Sequence, residues 1–248
     1  MGTYNSFLFS GHGKNRAGVY DSGALSKCGK HESNVAEKIV SEACNQLKTV
    51  NLSIQSGKNN YSDNLTKGNS YSSKAGATVH LNASNGTASG VEILVPCKEK
   101  DLTHEIWLAS EISKLLNIPN RGIKSRDYDS EKTFARTNGK ALSYKDYYRE
   151  IRQAWENGHS LAIIELCFID NVEDFKKLNA NFEEVSFLVA QYIAKLNNKE
   201  LIKKAPAEAK QTYYRVVAGS YKEKANADKL VKELKAKGYS PFIVLHEK

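Results

Sequence analysis

The sequence lacks the features that mark several common protein classes. Its 248 residues include only four cysteines, Cys28, Cys44, Cys97 and Cys167, which lie in different segments without CxxC spacing. We therefore expect reduced, mostly buried thiols rather than a disulfide framework or a cysteine zinc site. No apolar run approaches the ~20 residues of a membrane helix. No apolar segment follows a basic start as in a signal peptide, so we expect synthesis in the cytoplasm.

Several catalytic signatures are also missing. The pairs His31–Glu32 and His104–Glu105 do not continue to HExxH, so the zincin helix motif is absent. There is no GxGxxG after a strand, no P-loop and no GxSxG turn, which argues against nucleotide-dependent enzymes and serine hydrolases. The chain does have excess positive charge, with 36 Lys and Arg against 28 Asp and Glu. This favours an anionic partner, such as nucleic acid, acidic lipid or a cell-wall polymer.

Strand and helix patterns alternate along the first three quarters of the chain. Apolar runs predict strands at 4–13, 49–56, 77–84, 90–96 and 161–169, and helical periodicity predicts helices at 32–47, 101–116, 143–157 and 173–196. The polar stretch between the second and third strands is expected to contain a helix, and the segment that begins NRGIKSRD is expected to be a loop. The alternation predicts an α/β fold, a twisted and mostly parallel sheet with helices on both faces. Such sheets place their sites at the carboxyl ends of the strands.

Four residues could carry chemistry at that edge. Glu165 interrupts LAIIELCFI, the most apolar strand, so it is either ion-paired or a general acid/base with a raised pKa. His12 follows the first strand between glycines, Glu32 opens the first helix, and His80 lies within a strand. Singly, these three are explained as a loop histidine, a helix-dipole carboxylate and a hydrogen-bonded core histidine. Together they make a three-ligand zinc set, and Glu165 could take a proton from water, which suggests hydrolysis of an amide.

A set of motifs carries a family resemblance. The blocks SGHG, HESNVAEKIV, VHLNAS, GVEILV, NRGIK and IIELCFIDNVEDFKKL follow one another over residues 5–196. They resemble, in this order, the zinc-dependent N-acetylmuramoyl-L-alanine amidases of the type 3 class. The resemblance implies that His12, Glu32 and His80 bind zinc, that Glu165 is the catalytic acid/base, and that the substrate is the muramoyl–L-alanine amide of peptidoglycan.

The resemblance also suggests a biological role. The first expectation is a phage endolysin-like enzyme, made in the cytoplasm and acting on the cell wall after release. A host autolysin or a mother-cell lysis amidase is the alternative. A non-catalytic peptidoglycan-binding protein with a degenerate metal site is the alternative from another class, and the presence of all four key residues argues against it.

One segment departs from the family pattern. Residues 130–158 lengthen the connection that leads to the strand of Glu165. They could form a helix beside the groove that contacts stem peptide or glycan, or they could be a plain structural insertion.

Near the end of the chain, the segment YYRVVAGSYKEKANADKLVKELKAKGYSPFIV resembles the first half of a SPOR domain, a peptidoglycan-binding module. The predicted domains are a catalytic domain at 1–197, a linker at 198–212 and a module at 213–248 with strand 213–219, helix 223–237 and strand 240–245. A unit this small cannot bury a core alone, so a homodimer that pairs two copies is possible.

An RRM-like nucleic-acid-binding module would carry an aromatic RNP pattern, which this segment lacks. We expect neither a nucleic-acid partner nor membrane insertion.

Overall fold

A computed structural model describes residues 3–15, 17–59, 70–203 and 217–245 of the protein. The chain divides into two units, residues 1–203 and 204–248. The strands of the first unit are β1 (Thr3–Tyr4), β2 (Ser6–Ser10), β3 (Gly13–Lys14), β4 (Tyr20–Asp21), β5 (Ile54–Gly57), β6 (Ser70–Tyr71), β7 (Ala75–Asn82), β8 (Val91–Leu94), β9 (Asn120–Arg126), β10 (Thr133–Ala135) and β11 (Ser160–Phe168). Its helices are α1 (Glu32–Lys48), α2 (Thr103–Leu116), α3 (Arg149–Glu156), α4 (Val172–Ala180) and α5 (Phe182–Leu196).

Among the described residues, seven strands form one sheet in the order β10-β9-β8-β11-β7-β2-β5. Strands β5, β2, β7 and β11 run parallel, β8 is antiparallel to β11, β9 is parallel to β8, and β10 is antiparallel to β9. This confirms the predicted α/β class with a mostly parallel sheet. Strand β11 lies in the middle and is covered on both faces, which explains its apolar sequence.

Two apolar clusters lie on opposite faces of the sheet. The larger joins Ile164 and Leu166 of β11 to buried side chains of α1, α2, α4 and α5. The smaller joins Leu161 and Ile163 of the same strand to Ile151 of α3. Because side chains alternate along a strand, Glu165 lies on the same face as Ile163, the face that α3 covers.

The helix predictions at 32–47 and 101–116 are confirmed by α1 and α2. The helix predicted at 143–157 is observed only as α3, which begins at Arg149. The residues before α3 instead form backbone hydrogen bonds with β9 and the turn after it, such as Tyr147 N–H to Arg126 O. The helix predicted at 173–196 is divided at Asn181, whose backbone leaves the helical region at φ −117° and ψ 28°. The apolar stripe continues across this break, so periodicity alone did not reveal it.

The loop predicted at NRGIKSRD is wrong, since Asn120–Arg126 forms strand β9. Its burial alternates between buried and partly exposed positions over residues 122–126, but only Ile123 is a large apolar residue, so the sequence pattern was weak. The strand predicted at 49–56 begins only at Ile54, after a turn that ends α1. The helix expected in the polar stretch falls mostly on 60–69, outside the described residues.

In the second unit, α6 (Lys224–Ala236) confirms the helix predicted at 223–237. The strand predicted at 240–245 is not formed, because no strand in the part of the chain that the structure describes lies beside it to supply hydrogen bonds. The strand predicted at 213–219 lies mostly outside the described residues, and the domain borders stay predictions. No helix in the described ranges combines the length and apolar content needed to cross a membrane.

Candidate metal centre

Three side chains meet where strands β2 and β7 end. One donor atom from each of His12, Glu32 and His80 lies within 4.8 Å of the others. Glu32 Oε1 lies 3.3 Å from His12 Nε2 and 3.0 Å from His80 Nδ1. The turn after β2, the first residue of α1 and the end of β7 supply these groups. The structure therefore brings together the three residues that the sequence selected as a ligand set.

Two glycines leave room for this approach. A Cβ on Gly11 would lie 2.1–2.4 Å from atoms of the His80 ring, and a Cβ on Gly23 would lie 2.7 Å from Glu32 Oε2 and from His12 Cδ2. Gly23 also has φ of +64°, a region that side chains disfavour. Both positions require glycine because any side chain would enter the cluster.

Glu32 is held as a buried anion. Its Oε1 accepts a hydrogen bond from Leu81 N–H and its Oε2 accepts one from Ala24 N–H, each at 3.0 Å. Burial raises the pKa of Glu32, but hydrogen bonds to His12 and His80 outweigh burial and bring the pKa far below its ordinary value. Two imidazoles and one ionised carboxylate fit a divalent metal ion such as zinc.

Two further carboxylates contact the histidines, and the sequence did not identify either. Asp21 Oδ2 lies 2.7 Å from His12 Nδ1, and Glu150 Oε1 lies 3.5 Å from His80 Nε2. Asp21 comes from the two-residue strand β4, and Glu150 comes from the first turn of α3. No motif or periodicity marks these residues, because only the fold places them behind the histidines.

Glu165 lies beside His80 in the sheet. It is directly opposite His80 on β7 and opposite Glu92 on β8, so the three side chains form one row across the sheet. Burial raises the pKa of Glu165 to about 7, against the lowering effect of the His80 charge. Its Oε2 is buried and has no hydrogen-bond partner among the described residues. A carboxyl group with such a pKa can both accept and donate a proton near neutral pH.

Glu92, the third member of the row, is in a different environment. It accepts hydrogen bonds from Arg121 Nε, Lys124 Nζ and Asn82 Nδ2. Burial raises the pKa of Glu92, but the bonds from Lys124 and Arg121 outweigh burial and leave the pKa lowered. The two neighbouring carboxyl groups therefore differ, and only Glu165 is suited to proton transfer.

Two aspartates in the segment that follows β11 hold a loop at the edge of the site rather than contribute to its chemistry. Asp174 accepts hydrogen bonds from Ser89 Oγ and from the N–H groups of Gly90 and Phe168. Asp170 accepts two from the backbone of the same 84–90 loop. Asp170 and Asp174 thus fix the loop that follows β7.

The insertion at 130–158 contains β10, an irregular segment with a turn, and α3. It is anchored by Arg136, whose buried guanidinium donates to Ser125 Oγ and to the carbonyls of residues 96, 99 and 140. The predicted helix is present as α3, and its first turn lies beside the cluster through Glu150. A role of this insertion in stem-peptide or glycan contacts stays a prediction.

Comparisons with known proteins agree with this geometry. The family described as N-acetylmuramoyl-L-alanine amidase matches residues 7–196, and the SPOR domain family matches residues 188–245. The sporulation-specific N-acetylmuramoyl-L-alanine amidase of Bacillus subtilis (strain 168) is 21% identical over 244 residues, which cover 97% of this chain and 84% of that protein.

Solved structures share the fold. Cwp6 from Clostridium difficile is 24% identical with a TM-score of 0.54, and the match covers 79% of this chain but only 29% of that chain. The CwlD amidase from Clostridioides difficile, solved in complex with the GerS lipoprotein, is 16% identical with a TM-score of 0.54 and coverages of 78% and 98%. At these identities the similarity supports the α/β architecture of residues in the first unit.

Proposed function

Because this chain belongs to the N-acetylmuramoyl-L-alanine amidase family, we propose that His12, Glu32 and His80 hold a zinc ion and that Glu165 is the catalytic acid/base. The chain is a peptidoglycan hydrolase with a C-terminal SPOR domain. The observation that carries the assignment of residues is the placement of Glu165 next to His80, in register across the sheet, with a pKa of about 7.

The proposed reaction is hydrolysis of the amide between the lactyl group of muramic acid and L-alanine. Zinc, when bound, would act as a Lewis acid that activates water and polarises the amide carbonyl. Glu165 accepts a proton as water oxygen bonds to the carbonyl carbon, then gives that proton to the alanine nitrogen as the C–N bond breaks. The raised pKa suits both steps, since Glu165 must ionise before the first and be protonated before the second.

Metal analysis and wall digestion test this proposal. We expect about one zinc per chain, as in sites with three protein ligands. A His80→Ala change should lose that zinc, and the matched His104→Ala change at the start of α2 should keep it. Glu165→Gln should keep zinc and abolish hydrolysis, whereas Glu156→Gln, at an exposed position of α3, should retain activity.

The products identify the bond that is cleaved. Digestion should release new amino-terminal alanine without new reducing sugar ends. New reducing ends would mean a glycosidase and would refute the amidase proposal. Full activity of Glu165→Gln would remove Glu165 from the mechanism.

We propose that the enzyme is a host autolysin or a mother-cell lysis amidase rather than an endolysin, which was the first expectation from the sequence. The match over 84% of a sporulation-specific amidase and the SPOR match support this role. The comparisons give an endolysin role no specific support. The proposed site of action is the cell wall, which the protein reaches after synthesis in the cytoplasm.

Protein levels in the producing strain distinguish the two roles. We expect the protein in the wall fraction during growth or sporulation without prophage induction. Its appearance only after prophage induction would favour the endolysin role instead.

We also propose that the second unit pairs with its copy in another molecule. None of the residues of α6 is buried, and Val217 and Leu245 are 67% and 84% exposed. Pairing would cover this apolar surface, at a gain of about 25 cal/mol for each Å² buried. Light scattering at micromolar concentration should report a dimer, which Leu245→Asp should dissociate while the control Val172→Asp in the first unit should not. A monomeric wild-type protein would refute the pairing.

A further inference from the structure

We propose that Glu150 is a positioning residue of the metal centre: its carboxylate holds His80 with the proton on Nε2 and so directs Nδ1 to the metal. This inference rests on the proposed zinc function and deepens it. It gives the first turn of the insertion helix α3 a role in metal retention.

The positions of the two carboxylates around the His80 ring carry the inference. Glu32 Oε1 lies 3.0 Å from Nδ1, and Glu150 Oε1 lies 3.5 Å from Nε2. The two nitrogens of an imidazole point away from each other, so Glu150 lies behind the ring as seen from Glu32. Glu150 therefore faces the nitrogen on the far side of the ring and lies outside the ligand set, and its carboxylate is the nearest charged group to Nε2, which makes no hydrogen bond among the described residues. A neutral histidine needs its proton on one nitrogen to offer the other, and a carboxylate beside Nε2 favours the proton there.

His12 has the same arrangement with the nitrogens exchanged. Asp21 Oδ2 lies 2.7 Å from Nδ1, and Nε2 faces Glu32 Oε1 at 3.3 Å. Each histidine thus has one nitrogen toward the shared Glu32 oxygen and the other toward its own carboxylate. A carboxylate behind a ligating histidine fixes the tautomer and the ring orientation and raises the basicity of the ligand.

Glu150 is more firmly placed than Asp21. Its side chain is 9% exposed, whereas the side chain of Asp21 is 63% exposed. Helix α3 is held on the sheet by buried Ile151, which packs in the smaller apolar cluster. Gly11 also packs tightly against the His80 ring, because a Cβ at this position would lie 2.1–2.4 Å from ring atoms. A buried carboxylate acts more strongly on its partner than one in water, so the larger effect is expected from Glu150.

Zinc affinity tests the inference on the full chain. Competition with a chromophoric chelator should give a zinc Kd about tenfold weaker for Glu150→Gln and up to about 100-fold weaker for Glu150→Ala. Glutamine keeps an oxygen that can face the ring N–H but carries no charge, so its effect is the smaller one. The control Glu156→Gln, on the same helix but exposed, should change the Kd less than about twofold.

Nitrogen NMR of labelled histidines supplies a readout that a merely structural role would not move. In the zinc-loaded protein, His80 should carry its proton on Nε2 and His12 should carry its proton on Nδ1. In Glu150→Ala, the Nε2 proton of His80 should exchange faster or disappear, while the signals of His12 stay unchanged.

The outcomes separate this inference from the proposed function. A wild-type chain that binds no zinc would overturn both. Normal zinc binding in Glu150→Gln, or a proton on Nδ1 of His80, would overturn the role of Glu150 alone. If Glu150→Ala does not fold, the near-isosteric Glu150→Gln decides, with its apo form required to match the urea midpoint of the wild type.

Discussion

Replacing Glu105 by glutamine should stabilise the protein by about 3 kcal/mol at pH 8 but by less than about 1 kcal/mol at pH 5. Glu105 lies in the first turn of α2, is 8% exposed, and accepts a hydrogen bond of 2.6 Å from the Tyr192 hydroxyl of α5. Burial raises the pKa of Glu105 to about 7, although the Tyr192 hydrogen bond lowers it, and the charges of Glu99 and Asp101 raise it further. The folded protein therefore binds a proton at this site that the unfolded chain releases near its ordinary pKa of 4.5.

The sign and size follow from that difference. A group whose pKa is raised by folding stabilises the fold fully below its unfolded pKa and loses that contribution as the pH rises through its folded pKa. For Glu105 the loss accumulates between pH 4.5 and about 7. At about 1.4 kcal/mol per pH unit it reaches roughly 3 kcal/mol. Glutamine has no proton to lose and keeps an oxygen for Tyr192, so it avoids this loss.

Urea unfolding at pH 5 and pH 8 measures the effect. The difference in unfolding free energy between Glu105→Gln and wild type should be under about 1 kcal/mol at pH 5, just above the unfolded pKa of 4.5, and about 3 kcal/mol in favour of the variant at pH 8. Taking this difference at each pH cancels the titration of the other groups, including the histidines of the metal centre.

The control is Glu111→Gln on the same helix, whose carboxylate pairs with Lys114 near the surface. It should change stability by less than about 0.5 kcal/mol at either pH. Equal stabilisation of Glu105→Gln at both pH values, or destabilisation at pH 8, would refute the assignment of a raised pKa to Glu105.

Three other substitutions have defined outcomes. Gly11→Ala should weaken zinc binding by at least ~10-fold in a calorimetric titration, because its Cβ would displace the His80 ring; unchanged affinity would contradict this packing. Asp174→Asn should lower the unfolding free energy by about 3 kcal/mol in urea, since hydrogen bonds to a carboxylate contribute about 1.5–3 kcal/mol each; a loss under about 1 kcal/mol would contradict its role in holding the 84–90 loop. Arg136→Met should speed limited proteolysis within 127–148 by about tenfold, because the buried guanidinium anchors this segment; an unchanged cleavage rate would show that other contacts hold it.

Some elements were predictable because local sequence determines them. Helices α1 and α2 have full apolar stripes, and residues 161–168 of β11 are an unbroken apolar run except for Glu165. Strand β9 was not predictable, since it has only one large apolar residue and depends on β8 and β10 for its hydrogen bonds. The break at Asn181 was hidden because the apolar side chains on both sides of it continue the same stripe.

The sequence by itself determined which residues form the candidate centre. His12, Glu32, His80 and Glu165 are conspicuous because each has an unusual local setting: a turn between glycines, a helix start, or a polar side chain in an apolar strand. The rule that parallel strands end at one edge then predicts that they lie together.

Only the tertiary structure decided what surrounds those residues. Glu150 reaches His80 across 70 positions of sequence, and Glu92 reaches Arg121 and Lys124 across about thirty. These pairings depend on how α3 packs on the sheet and how β8 aligns with β9, which local patterns do not encode. The same contacts set the pKa values of Glu92 and Glu165 apart, because burial and neighbouring charge, not residue type, decide which carboxyl group keeps its proton.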